Sequence, residues 1–268
     1  MMENEVLWRL GAFFGVLVLV ALAEYMRPKR ILTISKKTRW LRNLSILIIG
    51  SIAVRVLIPV TAASAAIYAQ QHQIGLLNLL PLPFILSVIL AIILLDLLIY
   101  AQHVAFHHIP LFWRLHKVHH IDQEIDVTTG LRFHPVEILL SAVIKCAAAL
   151  VLGIPFIAIV IFEILLNATA MFNHGNIRLP LKLDHYLRMI LVTPDMHRVH
   201  HSVNPDETNR NFGFNLPWWD FLFKTYQAQP QAGHDKMEIG LSAFRDERKT
   251  GLVKILAVPF EIKNNKGI

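Results

Sequence analysis

Residues 136–172 read VEILLSAVIKCAAALVLGIPFIAIVIFEILLNATAMF, a run whose only charged residues are Glu137, Lys145 and Glu163. One helical span of a bilayer takes about 20 apolar residues, so this run is too long for one crossing and about right for two. Gly153 and Pro155 mark a break near its middle. The spacing predicts a tight helical hairpin, crossing fully or dipping in and returning. In either case the chain comes back to the face it left.

Three shorter runs precede the hairpin, at about Val6–Ala23, Leu44–Tyr68 and Phe84–Tyr100. The first has neither a basic leader nor a small-residue cleavage site, and reads as a retained anchor. Charged residues make up 17% of the chain, against roughly 25% in soluble proteins, which places it among membrane proteins. The net charge of +7 does not signal nucleic acid, because the basic residues gather at the ends of apolar runs instead of forming an aromatic-interleaved patch. Cys146 is the single cysteine, which excludes an intramolecular disulfide and an all-cysteine zinc site; it reads as packing material.

Orientation follows from charge asymmetry. The segment after the first run carries Arg27, Lys29, Arg30, Lys36, Lys37, Arg39 and Arg42, whereas QQHQIGLLNLLPLP at 70–83 carries no Lys or Arg. The positive-inside rule puts the first segment in the cytoplasm and the second outside. The third run then returns to the cytoplasm near Tyr100, and so does the hairpin after Phe172.

That common face is where the histidines collect. HVAFH supplies His103 and His107, HKVHH supplies His116, His119 and His120, FNHGN supplies His174, and HRVHH supplies His197, His200 and His201. Helical residues four apart share a face about 6 Å apart along the axis, while adjacent ones diverge by about 100°. An H-x-x-H-H helix can therefore serve two metal ions at once. Nine imidazoles exceed one tetrahedral zinc and suit two first-row metals with four or five ligands each. An H-E-x-x-H hydrolase box is absent, since Lys117 and Arg198 occupy its second position.

The ordered boxes resemble those of the sterol desaturase and fatty acid hydroxylase superfamily of membrane di-iron enzymes. The resemblance extends through Asp96-L-L-I-Tyr100-A-Q-His103, F-W-R-L-H-K-V-H-H, R-F-H-P-V-E at 132–137, V-T-P-D-M-H-R-V-H-H-S at 192–202, Asn211-F-Gly213 and W-D-F-L-F-K-T-Y at 219–226. It covers roughly residues 90–240, and GHDKMEIGLSAFR at 233–245 is similar to the tail of bacterial members. Val104 departs from the pattern, since many members carry Arg there. The resemblance implies O₂-dependent hydroxylation or desaturation of an unactivated lipid C–H bond at two iron ions. With no Rossmann glycine signature in the chain, electrons must come from a separate donor of ferredoxin or cytochrome type.

Several other polar residues carry readings of their own. Asp96, seven positions before His103, is expected to orient a ligand imidazole. His134 is expected to have such a supporting role, with metal ligation as the alternative. Glu163 and Asn167 form an i, i+4 polar pair. Arg55 and Lys145 are expected to snorkel or to pair across helices. His108 reads as interfacial, and His72 and His234 as ordinary surface histidines. GLVKILAVPF at 251–260 is too short to span and reads as an interfacial helix, a docking strand or a loose tail.

The expected architecture is all-α: three spans plus a long helical hairpin, capped on the cytoplasmic face by histidine-rich helices, in a bacterial inner membrane. Anchor spans occupy 1–89, the di-iron domain 90–230 and a tail 231–268. The competing class is a non-oxidative membrane metalloprotein, either a metal-dependent lipid hydrolase or a metal transporter. Transporters place polar groups near mid-bilayer, whereas these histidines lie beyond the ends of the apolar runs.

Overall fold

The computed structural model describes residues 4–246 and 251–261. Its elements in chain order are α1 (Glu5–Met26), α2 (Lys36–Leu57), α3 (Ala62–Gln71), α4 (Leu76–Leu79), α5 (Phe84–His108), α6 (Pro110–His120), α7 (Pro135–Leu152), α8 (Phe156–Asn173), α9 (Leu181–Leu187), α10 (Pro194–His200), α11 (Pro205–Thr208), α12 (Trp218–Leu222), α13 (Gly233–Lys236) and α14 (Leu252–Ala257). Among the described residues extended pairing is limited to two isolated bridges, Pro28 with Ile177 and Ser202 with Ile239. Five segments are long and apolar enough to cross a membrane: Glu5–Met26, Lys36–Leu79, Phe84–His108, Pro135–Leu152 and Phe156–Asn173.

The hairpin forms as α7 and α8. Gly153 caps α7 at φ 64°, a left-handed conformation that suits glycine. A Cβ there would come within 2.8 Å of the carbonyl oxygen of Ile74. The hairpin tip thus packs against the turn that leads into α4. The uncharged 70–83 segment and the histidines therefore lie at opposite ends of the bundle.

The run Leu44–Tyr68 is not one helix. Ile58 precedes Pro59, and proline pushes its predecessor out of the helical region. Ile58 is extended at φ −120°, ψ 93°, and α2 stops at Leu57. Thr61 then starts α3 with a reciprocal cap, its Oγ1 accepting from Ser64 N at 3.0 Å while Ser64 Oγ accepts from Thr61 N at 2.9 Å. At ten residues α3 is about 15 Å long, half a bilayer core. Its buried Ala62, Ala63, Ala65, Ala66 and Ala69 allow close approach to α7 and α8.

The two helices that carry the H-x-x-H-H boxes start on prolines, which have no N–H to lose in a first turn. Pro110 opens α6, and Pro194 opens α10 behind the Thr193 cap. Both helices lie across the end of the bundle formed by α1, α2, α5, α7 and α8. The basic segment after α1 is tied to the same end. Lys29 N donates to Asn176 O at 3.0 Å, and Arg178 N donates to Arg27 O at 2.8 Å. The Glu24 carboxylate accepts from Val127 N at 2.7 Å and Asn176 N at 2.9 Å.

Of the 251–260 stretch, Leu252–Ala257 form the helix α14 and not a strand. Ile255 on α14 and Val258 just after it bury against Ile46, Val118 and Ile121, while Val253 faces outward. His234 is not a surface residue: it is 8% exposed, beside Asp195. His72 and His108 are exposed as expected.

Candidate metal centre

The structure brings all nine histidines together and divides them. His103, His107, His116, His120 and His200 form one group, and His119, His174, His197 and His201 form another; within each group the available ring nitrogens lie within 4.8 Å of one another. The division follows from helix geometry. In α6 the i, i+4 pair His116 and His120 turns to the five-histidine group, and His119 turns to the other. In α10 and its cap the pair His197 and His201 turns to the four-histidine group, and His200 crosses over. Each box therefore gives two ligands to one group and one to its neighbour. α5 adds His103 and His107 from one face, and His174 caps the end of α8.

Backbone carbonyls and one carboxylate fix which nitrogen five of the nine rings present. The Nδ1–H groups donate as follows: His103 to Phe212 O at 2.8 Å, His119 to Arg132 O at 3.2 Å, His174 to Ala170 O at 2.7 Å, His200 to Arg210 O at 2.8 Å, and His116 to Glu137 Oε1 at 2.7 Å. Their Nε2 atoms consequently carry lone pairs. His174 Nε2 lies 3.1 Å from His119 Nε2, 3.1 Å from His197 Nε2 and 3.2 Å from His201 Nε2. Since the His174 and His119 Nε2 atoms both lack a proton, their contact is no hydrogen bond; unmediated, it would be repulsive. A shared cation resolves it. Two nitrogens bound about 2.0–2.1 Å from one zinc-sized ion sit about 2.9–3.4 Å apart. In the five-histidine group the Nε2 atoms of His103, His107, His116 and His200 are buried with no hydrogen-bond partner among the described residues. The donor set fits two metal ions.

Burial, reinforced by neighbouring imidazoles, holds His116, His119, His120, His197 and His201 well below the ordinary histidine value; burial and His103 do the same for His200. His174 falls to about 3, chiefly through burial. The rings are neutral near pH 7, which is the form that binds metal.

Around the rings lies a layer that the sequence motifs did not expose. Arg39, fully buried, donates Nε to Asp122 Oδ1 at 3.1 Å, Nη2 to Asp122 Oδ2 at 2.9 Å, and also pairs with Asp126. Burial would raise Asp122, but Arg39 and Arg132 outweigh it and hold the carboxyl below its usual range. Asn43 joins in, accepting from Arg132 Nη1 at 2.9 Å. This network clamps 122–132, whose last residue offers the carbonyl that orients His119. Arg39 was counted among loop cations that set membrane orientation; its charge is in fact spent inside the protein.

Asp220 performs the matching task for the Phe212 carbonyl that orients His103. It accepts from Phe212 N and Gly213 N at 2.8 Å each and from Thr225 Oγ1 at 2.6 Å. Asp96 touches no imidazole. It accepts from Asn215 Nδ2 at 2.7 Å, Trp219 Nε1 at 2.8 Å and Leu216 N at 3.3 Å, so it secures the loop behind Phe212. His134 belongs to neither histidine group. Its Nδ1 caps α7 by accepting from Val136 N at 3.2 Å, and its Nε2 lies 3.3 Å from Leu256 O. The carboxylate that does hold an imidazole is Glu137, three residues further on. Its sequence signal was available, an acidic residue at the start of an apolar run within R-F-H-P-V-E.

A cavity of about 490 Å³ opens on the five-histidine group, with His103 and His116 in its wall beside Phe106, Phe133 and Phe214. None of the four-histidine group lines it. A smaller cavity of about 270 Å³ reaches His107 from another side, past Trp113, Pro205 and Asn209.

The fatty acid hydroxylase profile matches residues 88–225, more than half of the chain. The chain belongs to the fatty acid hydroxylase family. It is 28% identical over 189 residues to the ornithine lipid hydroxylase OlsE of Rhizobium tropici, covering 69% of this chain and 54% of that protein. It is 29% identical over 140 residues to an alkylglycerol monooxygenase of Caenorhabditis elegans, covering 50% and 26% respectively. With a Delta(7)-sterol-C5(6)-desaturase of Nicotiana tabacum it shares 26% identity over 164 residues, covering 58% and 55%. The match spans about half the length of OlsE and of the desaturase and about a quarter of the monooxygenase. No solved structure matches.

Proposed function

We propose that this protein is an O₂-dependent lipid oxidase, hydroxylating or desaturating an unactivated C–H position of a membrane lipid at two iron ions held by His103, His107, His116, His120 and His200 and by His119, His174, His197 and His201. The observation that carries this reading is the convergence of unprotonated, buried Nε2 atoms in two adjacent groups, one of which faces a largely apolar cavity. The relatives' names point the same way: they act on lipids as hydroxylase, monooxygenase and desaturase.

Iron bound there supplies oxygen activation and one-electron chemistry; the protein's part is ligation, orientation and exclusion of water. Phe106, Leu131, Phe133 and Phe214 give the cavity apolar walls next to His103 and His116. A lipid chain lying along them keeps its reacting carbon near the five-histidine group and keeps bulk water out. The carbonyls of Phe212, Arg210, Arg132 and Ala170 and the carboxylate of Glu137 hold the Nδ1 protons of five rings, so His103, His116, His119, His174 and His200 keep their Nε2 free. Electrons enter from a separate ferredoxin- or cytochrome-type protein on the histidine face, and the cavity beside His107 offers access from that side. That face is cytoplasmic by the distribution of Lys and Arg, in a bacterial inner membrane. The catalytic unit is 90–230, behind an N-terminal anchor.

The test uses the full chain purified in detergent and loaded anaerobically with ferrous iron. Two irons per chain are expected, together with reductant- and lipid-dependent O₂ uptake. Mass spectrometry of an added membrane-lipid extract should show gain of one oxygen or loss of two hydrogens. One iron or none would remove the dinuclear centre. Lipid cleavage without O₂ uptake would make the protein a hydrolase.

A further inference from the structure

The cavity that begins at His103 and His116 does not end on hydrocarbon. Its far wall includes Arg9 of α1, Lys145 of α7, and Glu163 and Asn167 of α8. Arg9 donates Nε to Glu5 Oε1 at 2.7 Å and pairs through Nη1 with Glu163, and Lys145 Nζ donates to Glu163 Oε1 at 2.6 Å. The four charged side chains are only 16–25% exposed. Two of them sit at mid-helix, and Arg9 reaches Glu163 from near the start of α1: Lys145 is ten residues beyond the start of α7, and Glu163 is ten before the end of α8.

Ionisable groups at such depth are costly and mark function more often than they serve packing. Helix-to-helix glue alone would close on itself, but this cluster borders open space continuous with the candidate metal centre. Two cations and two carboxylates cancel, so a charged guest would upset the balance and a neutral one would not. Donors also remain. A guanidinium has five N–H bonds and an ammonium three, while the bonds named above use two from Arg9 and one from Lys145. Spare donors in a neutral setting recognise an oxygen acceptor.

Distance sets where that oxygen belongs. From Glu163 to His174 is eleven residues of α8, about 16 Å at 1.5 Å per residue, and from Lys145 to Glu137 is eight residues of α7, about 12 Å. C–C bonds of about 1.5 Å in a zigzag advance about 1.25 Å each along the chain axis, so an extended chain covers most of this range in roughly ten to twelve carbons.

We propose that the Arg9–Lys145–Glu163 cluster is a second recognition site for the lipid, binding a neutral oxygen function (a hydroxyl, or an ester or amide carbonyl) about ten to twelve carbons from the carbon held at the histidines. The proposal rests on the lipid-oxidation reading and narrows its substrate class to lipids whose reacting carbon lies that far from a neutral oxygen function. An unfunctionalised acyl tail would have to bury its methyl end against four charges.

The test is binding without turnover, on the metal-loaded protein under anaerobic conditions with no reductant. The probes are 1-dodecanol and n-dodecane, which differ only in the terminal hydroxyl. The wild type should bind the alcohol at least tenfold more tightly, read as ligand-induced thermal stabilisation across a concentration series. In the charge-balanced double variant K145M/E163Q the preference should collapse to about onefold while dodecane affinity stays unchanged. Equal binding of both probes by the wild type, or binding of neither, would overturn the proposal whether or not the variant folds. So would an alcohol preference that survives in the variant. Each outcome is independent of O₂ uptake, so failure here leaves the oxidase reading standing, and failure of that reading appears in its own assay.

Discussion

The two histidine groups are built from the same box written twice, yet they differ in surroundings. The four-histidine group is closed: three Nε2 atoms crowd His174 Nε2 at 3.1–3.2 Å, and none of its members lines either cavity. The five-histidine group is open, with His103 and His116 on the large cavity and His107 on the small one. Their supports differ at one ring. His119 and His174 in the closed group, and His103 and His200 in the open one, lean on backbone carbonyls, whereas His116 leans on a carboxylate. Repetition in sequence thus yields two different surroundings: the open group faces the cavities, and the closed group is walled off from them.

The largest effects should come from cutting across that division. His119→Ala in the closed group and His200→Ala in the open group should each abolish product, with activity down at least 100-fold in variants matched for membrane expression. Each removes a nitrogen that no neighbouring side chain replaces. Full activity in either would disqualify that group as part of the catalytic centre, and the comparison would collapse to a single metal site.

Support for the closed group can be removed without touching a histidine. Arg39→Met leaves Asp122 and Asp126 buried without their shared cation, and breaking a buried ion pair costs about 3–5 kcal/mol. The loss should appear as a lowered unfolding midpoint in detergent, together with weaker metal retention, because Arg132 and its carbonyl lose their anchor. An unchanged midpoint would mean that the 122–132 turn is held by other contacts.

One support of the open group is the Glu137 carboxyl at His116. Glu137→Gln keeps shape and hydrogen bonding but removes the charge that favours an Nδ1-protonated, strongly donating His116. Loss of such an outer partner lowers metal affinity by about 10–100-fold. A chelator competition titration should show one of two bound ions released early while the other holds. Equal weakening of both ions would show that the groups are coupled and not separately supported.

How much of this was legible in the sequence divides along similar lines. The nine histidines and their splay onto two sets could be read from H-x-x-H-H, because helix geometry alone separates i, i+3 from i, i+4. The hairpin was legible because Gly153 and Pro155 interrupt a run too long for one span. The break at Pro59 was hidden by hydropathy, which averages over a proline whose effect falls on Ile58. The supporting layer was mostly illegible. Arg39 and Asp122 are 83 residues apart, and nothing in either neighbourhood names the other. Asp96 was placed on the right helix, but whether its carboxylate faces the rings or the 215–219 loop depends on tertiary packing. His234 was misread for the same reason: its polar surroundings in sequence say nothing of Asp195, which approaches from α10.

The smallest expected effect belongs to His134, which shares the R-F-H-P-V-E stretch with Glu137 but serves neither group. As the cap of α7 it accepts from Val136 N at 3.2 Å, and it contacts the carbonyl of Leu256. Loss of a side-chain cap costs about 0.5–2 kcal/mol. His134→Ala should therefore lower the unfolding midpoint by a few degrees while two metal ions stay bound with unchanged affinity. Burial lowers the His134 value below that of an ordinary histidine, so its unfolded form takes up a proton at higher pH than its folded form. This contribution opposes folding progressively as pH falls below about 6.5 and is absent above it. The difference in midpoint between wild type and variant should accordingly be largest near neutrality and narrow towards pH 5. Release of an ion on this substitution would instead make His134 a tenth ligand, and the division of the rings into five and four would need redrawing.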